Sequence, residues 1–121
     1  MKVTLQDKSF AFAVRIIRLY KYLTEKKKEF ILSKQLLRSG TAPGALIREA
    51  QNAESKADFI HKLSIAQKEC DETVYWLELL VETEYLSKVE FKSIYDEATE
   101  LLKMIRSAIL TTRNNLKQNK S

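Results

Sequence analysis

The chain has 121 residues, with 21 Lys+Arg against 16 Asp+Glu and a formal net charge of +5. That length suits one domain around a single core. One Cys makes no internal disulfide, one His and one Cys build no ordinary structural zinc site, and two glycines leave no G-x-G-x-x-G or Walker-type phosphate loop. Apolar residues at 45% are too many for a disordered chain. No apolar run approaches the roughly 18 residues of a membrane span. The opening MKVTLQDKSF lacks the apolar stretch of a signal peptide, so a cytoplasmic protein with a free thiol is expected.

Gly and Pro are scarce, whereas Lys, Glu, Leu, Ala and Ile dominate, and these suit long helices. The first helix is predicted over about residues 8–27, with Phe10, Ala13, Val14, Ile17 and Tyr20 as its apolar spacing and the Lys26–Lys27–Lys28 run at its end. The second covers about 30–53, with Leu32, Leu36, Ile47 and Ala50 as its stripe. Pro43 lies inside it and predicts a kink or break near Gly40–Gly44. The third covers about 56–84, opened by Ser55 with Asp58 and carried by Phe59, Leu63, Ala66, Cys70, Val74, Leu77 and Val81. The fourth covers about 88–114, opened by Ser87 with Glu90, with Ile94, Ala98, Leu101, Leu102, Ile105, Ile109 and Thr112 inward. A polar tail over 115–121 is expected to fray. Connections of about two to four residues make neighbours antiparallel, which predicts an all-α, up-down-up-down four-helix bundle in a single domain.

Catalytic chemistry is hard to place. Asp58 and His61 resemble half of a di-metal carboxylate site, but no second His completes it, and His61 projects away from the apolar stripe. Cys70 sits in that stripe among acidic neighbours, which suits an inert buried thiol. The carboxylates between Glu69 and Glu84 fall mostly on polar faces, and no nucleophile–base constellation is present. No enzymatic activity, metal or cofactor is expected.

Three features carry function. Residues 1–28 hold eight Lys/Arg against two Asp/Glu, residues 103–121 hold five against none, and the middle holds eight against fourteen. Lys8, Arg15, Arg18 and Lys26 share one face of the first helix; Lys103, Arg106, Arg113 and Lys117 share one face of the last. With those helices side by side, the two stripes would form one positive surface suited to phosphate backbones. Second, Tyr75, Trp76, Leu79 and Leu86 project away from the inner stripe and predict a self-association surface. Third, Arg38 and Glu49 stand about three turns apart, flanking Ala42 and Ala45, where another helix could approach and pair with them.

The run Gln35-Leu-Leu-Arg-Ser-Gly-Thr-Ala-Pro-Gly-Ala-Leu-Ile-Arg-Glu-Ala50, with Asp58-Phe-Ile-His-Lys-Leu-Ser-Ile-Ala-Gln-Lys-Glu69 and Glu72-Thr-Val-Tyr-Trp-Leu-Glu78, resembles the four-helix-bundle family encoded in intervening sequences of bacterial 23S ribosomal RNA genes. The accessory variability proteins of diversity-generating retroelements are similar. The most specific residues are Gln35, Leu36, Arg38, Ser39, Ile47, Glu49 and Ala50. The resemblance implies a non-enzymatic bundle that assembles into a barrel-like homopentamer with a basic surface; its retroelement relatives bind nucleic acid and a reverse transcriptase. Leu46 stands where the family usually has Asn, and Pro43 where it usually has Ile. The combined expectation is a homo-oligomer that binds RNA or another nucleic acid with low sequence specificity, with no membrane role. A protein-interaction scaffold using the acidic middle and Trp76 is the alternative.

Overall fold

The computed structural model describes residues 2–119. Four helices make up the fold: α1 (Leu5–Glu25), α2 (Leu32–Ala50), α3 (Lys56–Glu82) and α4 (Lys88–Asn119). Each packs on its neighbour in sequence, and α1 closes on α4, so the four form a ring whose diagonal pairs do not meet. The connections, residues 26–31, 51–55 and 83–87, are longer than the sequence suggested.

A side chain caps the start of each helix. Thr4 and Asp7 form a reciprocal capping box that starts α1 at Leu5, three residues before the predicted start. The Ser55 hydroxyl accepts the Asp58 amide at 3.0 Å, and Ser87 and Glu90 cap each other at 3.0 and 3.1 Å. Helix α2 is capped from outside. Glu29, two residues before Ile31, accepts the amides of Ile31 and Leu32 at 3.1 Å and of Ser33 at 2.7 Å. The Ser33 hydroxyl returns a 2.7 Å bond to the Glu29 carbonyl. Burial raises the Glu29 pKa, but these donors together outweigh it and hold the carboxyl below its ordinary value. Two connections turn without glycine: Lys28 and Glu84 take φ of 56° and 69°. At the end of α3, Tyr85 N–H reaches Leu80 O and Glu84 N–H reaches Val81 O, a Schellman pair that closes the helix with Glu84 in the glycine position.

The core runs through Phe12, Ile16, Leu23, Leu36, Ile47, Leu63, Leu77, Leu80, Leu101 and Ile105. The face of α1 differs from expectation. Phe12 and Ile16 point inward, while Phe10 and Ile17 are 60% and 41% exposed. Helix α1 is apolar around more than half its girth, so spacing alone does not select the inner side. Gly40 of α2 helps select it. A Cβ there would lie 2.7 Å from both Ile16 Cγ atoms, so the missing side chain gives Ile16 its seat.

Pro43 does not break α2, which runs as one helix from Leu32 to Ala50. Its ring is buried between the fully buried Leu36 and Ile47, and that packing outweighs a local penalty of about 3 kcal/mol. Helix α4 continues to Asn119, past the predicted end at 114, while Lys120 and Ser121 lie outside the described residues. Leu116 is half-buried, which extends the packed side of α4 past the predicted end.

Candidate nucleic-acid interface

Helices α1 and α4 do lie side by side, but their cationic edges do not turn the same way. On α1, Lys8 and Arg15 point into the seam. Lys8 Nζ meets Glu100 at 3.0 Å; Arg15 meets Glu97 at 2.8 Å and donates to Ser93 Oγ at 2.7 Å. Both cations are therefore neutralised by α4. Arg18 is exposed beside an open groove between the two helices, floored by Val14, Leu19 and Ile94, and Lys26 is exposed at the end of α1. The α4 residues that meet α1, namely Ser93, Glu97 and Glu100, lie about 130° round the helix from the stripe of Lys103, Arg106, Arg113 and Lys117. That stripe faces outward on the α3 side, where Arg106 stands 3.8 Å from Asp71. The single positive surface expected from sequence is thus two separate ones. The reason is carboxylate placement: Glu97 and Glu100 take the α1 side of α4 and leave its cations the outer side.

The α4 stripe is the cleaner of the two. Lys103, Arg106, Arg113 and Lys117 are exposed, and no acidic residue occurs between 103 and 119. Because α4 is helical throughout, these cations span about 21 Å of one rigid face.

The residues of the most specific sequence motif bind α2 to α3. Arg38 donates to Glu69 at 3.0 Å and also pairs with Glu72, whose carboxylate accepts the Trp76 indole N–H at 3.0 Å. That indole bond, with Arg38 beside it and burial opposing, lowers the Glu72 pKa. Glu49 reaches Lys62 at 3.5 Å. Next to the Arg38 pairs, the Thr73 hydroxyl sits 3.0 Å from that of Ser39 in the buried interface.

A family model described as 23S rRNA-intervening sequence protein matches residues 1–107. The chain belongs to that family. A crystal structure of a protein with unknown function from the S23 ribosomal protein family of Bacteroides thetaiotaomicron is similar over 88% of this chain and 98% of its own, with 56% identity and a TM-score of 0.87. No curated protein matches the chain.

In this member of the 23S rRNA-intervening sequence family, the four residues expected at a subunit interface divide. Tyr75 is 53% exposed and meets Trp76 edge-on at 5.1 Å. Trp76 and Leu79 are half-buried. Leu86 does not belong with them: it is 4% exposed and lies in the core. The Schellman turn swings the chain back, so Leu86 packs beside Leu19, Tyr22 and Ile94 at the head of the α1–α4 groove.

His61 is exposed, and among the described residues no group of three or more His, Cys, Asp or Glu could hold a metal ion. Cys70 is fully buried, with Sγ 3.9 Å from the Ala98 carbonyl. Burial first, then the Asp71 charge, push its thiol up to about 12, against a smaller opposing effect of Arg106. No described helix is long and apolar enough to cross a membrane.

Sequence reasoning did not single out the exposed pair Phe30 and Ile31 on the α1–α2 turn. The signal was available in the string Lys26-Lys-Lys-Glu-Phe-Ile31, where cations and an aromatic side chain adjoin in a connection.

Proposed function

We propose that this protein is a non-catalytic, oligomeric RNA-binding bundle of the cytoplasm, linked to ribosomal RNA, that holds the phosphate backbone on the outer face of α4. The observation that carries this reading is the exposed row Lys103, Arg106, Arg113 and Lys117 on a helix segment without carboxylates. Family membership supports the choice of RNA. Arg18 and Lys26 form a second, smaller contribution near the other end of the bundle, whereas Lys8 and Arg15 hold the seam.

Charge reversal of Lys103, Arg113 and Lys117 together to Glu is the test, because all three are exposed, whereas Arg106 stands beside Asp71. Binding to a structured RNA should fall sharply, and the log–log salt slope should flatten by about 2–2.7 for three lost phosphate contacts. Circular dichroism and melting should stay as in the parent. Unchanged affinity and slope would remove the α4 face from consideration. Arg15 is unsuitable for this test, since a Glu there would oppose Glu97 and split the seam.

Self-association belongs to the same reading. Exposed apolar side chains lie on α1 (Phe10, Ile17), on α3 (Tyr75) and on α4 (Val89, Leu110), and the first two of these helices are diagonal. Unlike faces on opposite sides of a protomer favour head-to-tail contacts that close into a ring, in keeping with the homopentamer that the resemblance implies. Light scattering should give a multiple of 14.1 kDa for the parent. Phe10→Glu and Tyr75→Glu, made separately, should each lower that mass. A parent already at the monomer mass at micromolar concentration rules the assembly out.

A further inference from the structure

The α1–α2 turn joins three features that the α4 face does not use. Its sequence holds three lysines, an acid and two large apolar residues, and the fold separates them. The acid, Glu29, turns inward to cap α2 and is only 8% exposed. Lys26, Lys27 and Lys28 stay outside, with Lys34 exposed one turn into α2. Phe30 and Ile31 are 59% and 74% exposed. The turn therefore shows solvent only cations and apolar surface. Glu25 is the last residue of α1, and Glu90 attracts Lys27 from across the bundle end. The turn is also held in shape. Glu29 N–H bonds Leu23 O at 3.0 Å, Lys28 is fixed at a φ of 56°, and Lys27 lies over the Tyr22 ring.

An exposed ring on a rigid cationic turn has the chemistry of a stacking platform for unpaired bases. We propose that residues 26–31 bind a single-stranded RNA segment, with a base stacked on Phe30 and the adjoining phosphates met by Lys26, Lys28 and Lys34. This rests on the RNA-binding reading and adds a preference: duplex phosphates on α4, an unpaired strand at the turn. Ile31 flanks the base as apolar surface.

The full chain is titrated with two probes, a 12-nucleotide oligoadenylate and a blunt RNA duplex of similar length. Phe30→Ala should weaken oligoadenylate binding by roughly 5- to 150-fold, the span of one lost stacking contact, and leave the duplex unaffected. Phe30→Trp should keep the affinity, and its added fluorescence should be quenched by oligoadenylate. Phe30→Ala binding oligoadenylate as the parent does overturns the proposal while the α4 reading stands. A parent that binds neither probe overturns both. Two further outcomes also overturn it. One is loss of binding to phosphatidylserine vesicles on Phe30→Ala with oligoadenylate binding intact, which makes the turn a lipid contact. The other is a fall in assembly mass with oligoadenylate binding intact, which makes it a subunit contact.

Discussion

Gly40→Ala is expected to destabilise the bundle by about 1–3 kcal/mol, although alanine is the better helix former by about 1 kcal/mol. The reason is Ile16. The added methyl carbon would stand 2.7 Å from Ile16 Cγ1 and Cγ2 and 2.9 Å from Cδ1. Ile16 has no exposed surface and is branched at the atom nearest its backbone, so it cannot swing clear as a long side chain would. Helices α1 and α2 must move apart, and a close-packed core resists that. Gly44 supplies the control within the same helix. A methyl there meets Ser9 O at 3.4 Å, an ordinary contact. Gly44→Ala is therefore expected to be neutral or stabilising by up to about 1 kcal/mol. Urea titration followed by Trp76 fluorescence at fixed protein concentration measures both. Equal effects at the two glycines would show that the close approach of Ile16 is not what sets the α1–α2 spacing.

Glu29→Ala is expected to cost about 2 kcal/mol, because three amides at the start of α2 lose their acceptor, that of Ser33 in a buried position. Glu29→Gln keeps one oxygen and should cost less. The pH dependence has a definite sign. The folded state holds this carboxyl below its ordinary value of 4.5, so its stabilisation is complete above that value. It is lost as pH falls through the lower, folded-state value. The melting temperature of the parent should therefore drop more steeply below about pH 4.5 than that of Glu29→Gln. Glu72 and Glu90 are lowered as well, so the variant keeps part of the slope. Superimposable acid profiles would mean that the cap contributes nothing through its charge.

The four helices were legible because their signals are local. Ser55 and Ser87 mark two starts, and the three-four spacing of α3 and α4 names Leu63, Ala66, Cys70, Leu77, Ala98, Leu101 and Ile105 as core, where the structure places them. The misreadings have a common cause, since each depended on a partner in another element. Helix α1 offers two apolar sides, and the choice between Phe10 and Phe12 is made by Gly40 on α2. Pro43 predicts a kink or a break, and the break is absent where its ring is buried. Leu86 reads as surface until the Schellman turn carries it inward on Glu84, a residue type that does not advertise a left-handed conformation. Of the cations read from the sequence, Lys103, Arg106, Arg113 and Lys117 are exposed together on α4, and on α1 Arg18 and Lys26 are exposed while Lys8 and Arg15 turn into the seam. The relative direction of the two stripes was not legible, because it is fixed by which face of α4 holds Glu97 and Glu100, and that is a matter of pairing across the ring.

The seam between α1 and α4 also bears on the order of assembly. Every other contact in the ring joins helices that follow one another along the chain, so each forms as a hairpin across a connection of five or six residues. The seam instead joins residues 82 and 92 positions apart. Closing so long a loop costs the most chain entropy, and this junction is polar, partly wet and sided by a groove. The three hairpins are therefore expected to form first and the first helix to dock on the last at the end, with that junction the expected place for a folded protomer to open.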